Sequence, residues 1–256
     1  MDARRIFNAT LAVAACALFA GCATVGSGRA APDDPFEPLN RAVLDVNTSL
    51  DDAIIRPVAE AYREIVPQFA RDRIRSVIDN LVEPRIFAND VLQGRGAAAW
   101  ITFQRFVINS TAGLAGLFDL ATGDGLPKQT GDFGQTLYAW GVDDGPYLML
   151  LFFGPSTVRD TVGLGVDLYT TPPGVFFPGH PGVVIGFVVG TVDGVDLRSR
   201  NIENLDAIAA GALDYYTHLK SLWWQRREAE LRQARGLPAE PQELADPAAV
   251  PQAPAK

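Results

Sequence analysis

The chain has 256 residues, with 22 Lys and Arg against 30 Asp and Glu and a formal charge of −8, so it offers no electrostatic footprint for nucleic acid. Two histidines, His180 and His218, stand far apart in no ligand spacing, which makes a metal centre improbable. With two cysteines, Cys16 and Cys22, both near the N-terminus, no disulfide framework is expected and no cofactor is called for.

Arg4 and Arg5, an apolar run from Ile6 to Ala20, and Phe19-Ala20-Gly21 before Cys22 read as a secretory leader over residues 1–21 with a lipoprotein cleavage site. An ordinary signal peptide with an incidental cysteine is the alternative. Acylated Cys22 would hold the protein on a bilayer without a spanning helix, each buried CH₂ contributing about 0.8 kcal/mol. Loss of Asp2, Arg4 and Arg5 with the leader takes the formal charge from −8 to −9. Residues 22–33 suit a tether.

A helical domain is expected over residues 34–235. Asp34, Pro35 and Glu37 read as a capping box, followed by Phe36, Leu39, Val43, Val46 and Leu50 as one apolar stripe. Pro57 and Pro67 bracket a short helix, Val58 to Ile65. A longer helix runs from Phe69 towards Leu92 and should kink or break near Val82-Glu83, where Pro84 removes a backbone hydrogen bond. Ala97 to Leu120 reads as an amphipathic helix facing lipid on one side, and Asn204 to about Arg235 as the last helix. Residues 236–256, with five prolines, read as a disordered tail. No segment shows convincing strand alternation.

Between Asp167 and Asp193 lie 25 residues without a charge, but Pro172, Pro173, Pro178 and Pro181 interrupt them. The uninterrupted part, Gly182 to Val192, covers about 16 Å of a roughly 30 Å hydrocarbon core. Such a piece dips in without crossing, and so does the shorter cluster Tyr147 to Phe153. A packed soluble core is the alternative. Gly182, Gly186, Gly190 and Gly194 form a stripe where a helix or a lipid tail can approach. Ser156 reads as an N-cap, and Asp160 and Asp167 share a face with Gly163. Arg159, Asp160 and Asp167 are candidate channel-wall residues, since charges in lipid are costly unless they line water; a solvated face is the simpler view. Trp223 and Trp224 beside Arg226 and Arg227 look like an interfacial belt, or like core aromatics followed by surface arginines.

A catalytic reading would take Ser110 or Ser156 as nucleophile with His180 or His218 as base. The stretch Gly154 to Val158 lacks the second glycine of a nucleophile elbow, and no enzyme is expected.

Asp34-Pro-Phe-Glu-Pro-Leu-Asn-Arg41, Arg56-Pro-Val-Ala59, Glu83-Pro84, Phe106 to Leu114, Asp132 to Leu137, Gly141-Val142, Gly145-Pro-Tyr147 and Gly154 to Asp160 resemble the MlaA (VacJ) outer-membrane lipoproteins, over roughly Asp34 to Tyr216. The resemblance implies an all-α, ring-like bundle of amphipathic and half-membrane helices around a central polar channel, seated in the periplasmic leaflet of the outer membrane. It implies removal of mislocalised phospholipid from the outer leaflet, transfer to a periplasmic carrier of MlaC type, and association with a trimeric porin. Ala23, where Asp would favour retention in the inner membrane, is similar to outer-membrane lipoproteins in this respect. A porin-associated scaffold without transport activity is the rival reading.

Overall fold

A computed structural model describes residues 34–170 and 180–237. The expected leader, Cys22, the tether and the tail from 238 onward lie outside the described residues, as do Pro172, Pro173 and Pro178. Helix α1 (Glu37–Leu50) runs through a π-helical turn (Asp51–Ile55) straight into α2 (Arg56–Ile65). The Arg56 N–H reaches back five residues to the Asp51 carbonyl, a widening that accommodates Pro57, which has no N–H and whose ring crowds the preceding turn.

The capping box does not form. Phe36 is the N-cap residue of α1 and makes no side-chain cap, because the Asp34 carboxylate is used elsewhere. It accepts from Asn40 at 2.9 Å, from Lys220 at 3.0 Å and from the Tyr216 hydroxyl, tying the start of α1 to the last helix. Helix α3 (Gln68–Leu92) is one element across Pro84, so of the expected kink or break the break does not occur. It packs along α4 (Gly96–Thr111), and bonds from Asn80 to Ser110 at 3.0 Å and from Arg105 to Glu83 at 2.9 Å brace the turn that contains the proline.

Helix α4 ends well before Leu120. Leu114, Ala115 and Gly116 take positive φ of 54, 59 and 89°, and a Cβ on Gly113 would stand 2.3 Å from the Phe118 carbonyl oxygen. This tight reversal returns Asp119 to Arg105 and starts α5 (Leu120–Gly123), which Asp119 caps. Helix α6 (Phe133–Ala139) leads into a hairpin of β1 (Tyr147–Leu150) and β2 (Gly154–Thr157), antiparallel with Tyr147 opposite Thr157. Strands of four residues are too short to show an alternation. Helix α7 (Val158–Tyr169) is capped by Thr157, not Ser156, at 3.2 Å from the Asp160 N–H. Helices α8 (His180–Arg200), α9 (Ile202–Gly211) and α10 (Tyr215–Ala234) complete the chain. The last expected helix is therefore two, because Asp214 accepts from the Tyr216 N–H as the N-cap of α10 while gripping Arg41 at 2.9 and 2.7 Å.

Leu44, Tyr147, Met149 and Tyr216 form a small apolar core, flanked by Val43, Tyr215, Leu219, Trp223 and Trp224. Two asparagines of α1 hold the hairpin to it. Asn40 donates to the Tyr147 carbonyl at 3.1 Å and accepts from the Met149 N–H at 2.8 Å, and Asn47 does the same with Leu150 and Phe152, both at 2.9 Å.

The distribution of polarity is inverted. Among the described residues 19 polar or charged side chains are buried against 11 apolar ones, while Ile65, Phe69, Trp100, Phe152, Phe153 and Phe187 are each more than half exposed. The expected stripe of α1 follows suit: Leu39 and Val46 face outward, and Asn40 and Leu44 face in. An outer surface this apolar suits a hydrocarbon surrounding and not water. Among the described residues no helix is long and apolar enough to cross a membrane. On α8 the apolar stretch ends as expected near Val192, after which Asp193 pairs with Arg75, Arg198 with Asp51 and Arg200 with Asp72.

Candidate functional site

Five elements line an open cavity of about 390 Å³. Arg85 comes from α3, Asp132 from the N-cap of α6, Leu150, Phe153, Pro155 and Ser156 from the hairpin, Asp160, Leu164 and Asp167 from α7, and Trp223, Arg226, Arg227 and Glu230 from α10. Charged and apolar side chains share the lining, a mixture that accepts a molecule with a charged end and a greasy end.

Close backbone contact between α6 and α7 sets the charged part of the lining. A Cβ on Gly163 would lie 2.3 Å from the Gly134 nitrogen and 2.7 Å from its Cα, so the helices meet without intervening side chains. Gly163→Ala is expected to lose about 1–3 kcal/mol of stability through forced separation of the backbones. Gly165→Ala, two residues on with nothing within 4 Å of its Cβ, should gain up to about 1 kcal/mol from helix propensity. Denaturation of both variants in mild detergent checks the pair; equal midpoints would mean that α6 and α7 are not held in contact.

Arg227 is the hub. Its Nε and Nη2 donate to Asp160 at 2.8 and 2.9 Å, its Nη1 and Nη2 to Asp132 at 2.6 and 2.9 Å, and its Nη1 to Glu230 at 3.0 Å. Burial alone would lower the Arg227 guanidinium, and the hydrogen bonds and charges of Asp132 and Asp160 more than offset it, so its charge is secure. Burial likewise opposes ionisation of Asp132, yet Arg227 and the Gln135 N–H hold that carboxyl below its usual range. Asp167 goes the other way. Its burial raises the carboxyl, and Arg85 and the Phe133 N–H offset this only in part.

Of the residues singled out in the sequence, Asp160 and Asp167 both line the cavity. Arg159 is buried behind them, bonded to Asp160 at 2.9 and 2.8 Å and paired with Asp144. All three are nearly inaccessible from outside, so they are not a solvated face. The glycine stripe is brought against nothing in the chain at Gly186, Gly190 and Gly194, whereas Gly182 is buried. Trp223 and Trp224 pack on the apolar core, as the alternative reading had it, but Arg227 is buried and only Arg226 is exposed, at 82 %. Ser156 bonds the Thr157 carbonyl and Thr161, and Ser110 is bonded by Asn80. The described residues contain no cluster of three or more His, Cys, Asp or Glu fit for a metal.

Sequence reasoning missed Arg85, Asp132 and Arg227 as site residues. Asp132 carried a signal, since an acid before Phe133-Gly134-Gln135 is an N-cap beside a glycine that permits close approach. Arg85 and Arg227 carried none, because an arginine on a helix is ordinarily a surface residue.

The family model described as MlaA lipoprotein matches residues 32–230. The chain is 34% identical over 218 residues to the intermembrane phospholipid transport system lipoprotein MlaA of Escherichia coli K12, covering 82% of this chain and 83% of that one. It is 27% identical over 241 residues to the Haemophilus influenzae protein of the same name, covering 92% and 93%. A solved structure presented as the structural basis for maintenance of bacterial outer membrane lipid asymmetry superposes with a TM-score of 0.66 at 31% identity, covering 78% of this chain and 100% of that one.

Proposed function

The chain belongs to the MlaA lipoprotein family, and from that premise we propose that it moves phospholipid in intermembrane transport and so maintains lipid asymmetry of the outer membrane. Mislocalised phospholipid leaves the outer leaflet through a polar passage that includes the cavity, and passes to a periplasmic carrier of MlaC type. Acylated Cys22 anchors the protein in the periplasmic leaflet beside a trimeric porin, residues 22–33 acting as tether. Asp160 and Asp167 form part of the passage wall and Arg159 stiffens it from behind.

The observation that carries this reading is the inversion of polarity: exposed Phe, Trp and Val around buried Arg, Asp and Asn. Moving a charged headgroup through bare hydrocarbon costs several kcal/mol per ion even after relaxation, whereas a charged, water-accommodating interior substitutes for its hydration. The acyl chains stay in lipid, where each CH₂ is stabilised by roughly 0.8 kcal/mol. No covalent step is required.

Deletion of the gene is expected to raise phospholipid in the outer leaflet and sensitise cells to detergent. The intact chain should reverse this, and Cys22→Ala should not. Unchanged surface phospholipid in the deletion strain would remove the transport reading in favour of a porin-associated scaffold.

A further inference from the structure

The cavity holds one cation that its neighbours leave under-used. Arg227 is engaged by Asp132, Asp160 and Glu230, and Arg226 pairs with Glu230 at 2.9 Å. Arg85 differs. Its buried Nε has no hydrogen-bond partner, and the carboxylate that it faces, Asp167, stands 4.0 Å away. Asp167 is itself held in place, accepting from Asn89 at 3.3 Å and from the Phe133 N–H at 3.0 Å. Arg85 and Asp167 therefore attract each other at 4.0 Å without closing a hydrogen bond, and an anion that reaches the guanidinium breaks none.

The shape of the cavity narrows what that anion is. Its volume of about 390 Å³ lies near the small end of the roughly 300–1,000 Å³ usual for ligand pockets, enough for a headgroup and too little for two acyl chains. Phe153, Leu164 and Trp223 on the lining offer apolar surface to whatever the anion is attached to. A guanidinium is a planar fork that matches two phosphate oxygens at once, which an ammonium does not.

We propose that Arg85 binds the phosphodiester of a phospholipid headgroup in this cavity, with the glycerol and first chain carbons against Phe153, Leu164 and Trp223. The assignment rests on the transport reading above and names the residue that recognises the cargo.

The test titrates the full chain in detergent with dihexanoyl phosphatidylethanolamine, dihexanoylglycerol and inorganic phosphate, for the unaltered protein, Arg85→Gln, Arg85→Lys and Arg63→Gln. Arg63 is half-buried and pairs with Glu203, and it does not line the cavity. The phosphodiester lipid is expected to bind at least tenfold tighter than the diacylglycerol. Arg85→Gln should lose at least tenfold, Arg85→Lys at least threefold, and Arg63→Gln nothing. Unchanged lipid affinity in Arg85→Gln overturns the assignment, as does unchanged affinity in Arg85→Lys should the glutamine variant not fold. Inorganic phosphate that equals and displaces the lipid identifies a free-anion site and overturns the headgroup. Complementation separates this from the transport reading: full rescue by Arg85→Gln with undiminished lipid binding removes Arg85 and leaves transport standing, whereas a deletion strain without surface phospholipid removes transport itself.

Discussion

Arg227→Gln is expected to lose about 3–5 kcal/mol of stability and to fail in restoring outer-leaflet asymmetry to a deletion strain. The magnitude follows from what remains after the guanidinium is removed. Asp132 keeps its Gln135 N–H and Asp160 keeps Arg159, but both lose the bidentate partner that balances their burial. Breaking a buried pair by removing one member costs about this much, because the surviving charge is left uncompensated. Pairing the substitution with Asp132→Asn should recover part of the loss, since that neutralises one of the stranded carboxylates. Denaturation of the two single variants and the double variant gives the coupling energy. A loss below about 1 kcal/mol with no coupling would mean that Arg227 behaves as a surface ion pair, and the charged part of the lining would not be held by it.

Arg105→Met should be the most damaging change away from the cavity. Arg105 is 1% exposed; it donates to Glu83 at 2.9 Å, to Thr122 at 3.1 Å, to the Leu126 carbonyl at 2.6 Å and to Asp119 at 3.2 and 3.3 Å. Two separate segments, α3 and residues 119–126, thus converge on one side chain of α4. Burial already raises the Glu83 carboxyl, with Arg105 offsetting it only in part. Without the arginine, burial pushes the Glu83 carboxyl further up with nothing to offset it, and the loss of stability is expected to be about 3–5 kcal/mol, a large share of the roughly 5–15 kcal/mol available to a domain. Arg105→Met with Glu83→Leu should recover most of it, since replacing a whole buried pair by apolar groups is often neutral. No recovery in the double variant would show that Asp119 and the Leu126 carbonyl, not Glu83, are the partners that matter.

The helical class, the positions of α2 and α3, and the apolar limit at Val192 were legible because they depend on neighbours a few residues apart. Proline and glycine punctuation and 3,4 spacing act at that range. Elements misjudged share one cause. The break at Pro84 is absent because α4 supports the turn from outside, and the end of α4 comes early because Asp119 has to return to Arg105. Asp34 forgoes its local cap for Tyr216 and Lys220, and Asp214 starts a new helix while holding Arg41. In each case a side chain found a partner far along the chain that outweighed its local preference.

Alone, the amino-acid sequence determined the helical class, the positions of α2 and α3, that prolines leave the uncharged stretch before Asp193 too short to span a bilayer, and which family the chain resembles. Only the tertiary structure decided which side of each helix faces inward. Periodicity marks an apolar stripe but not what covers it, and the hairpin backbone bonded by Asn40 and Asn47 sets the inward side of α1. Leu39 and Val46 therefore turn outward and Asn40 inward, and the charged part of the cavity lining is assembled from residues as distant as Asp132 and Arg227, 95 positions apart.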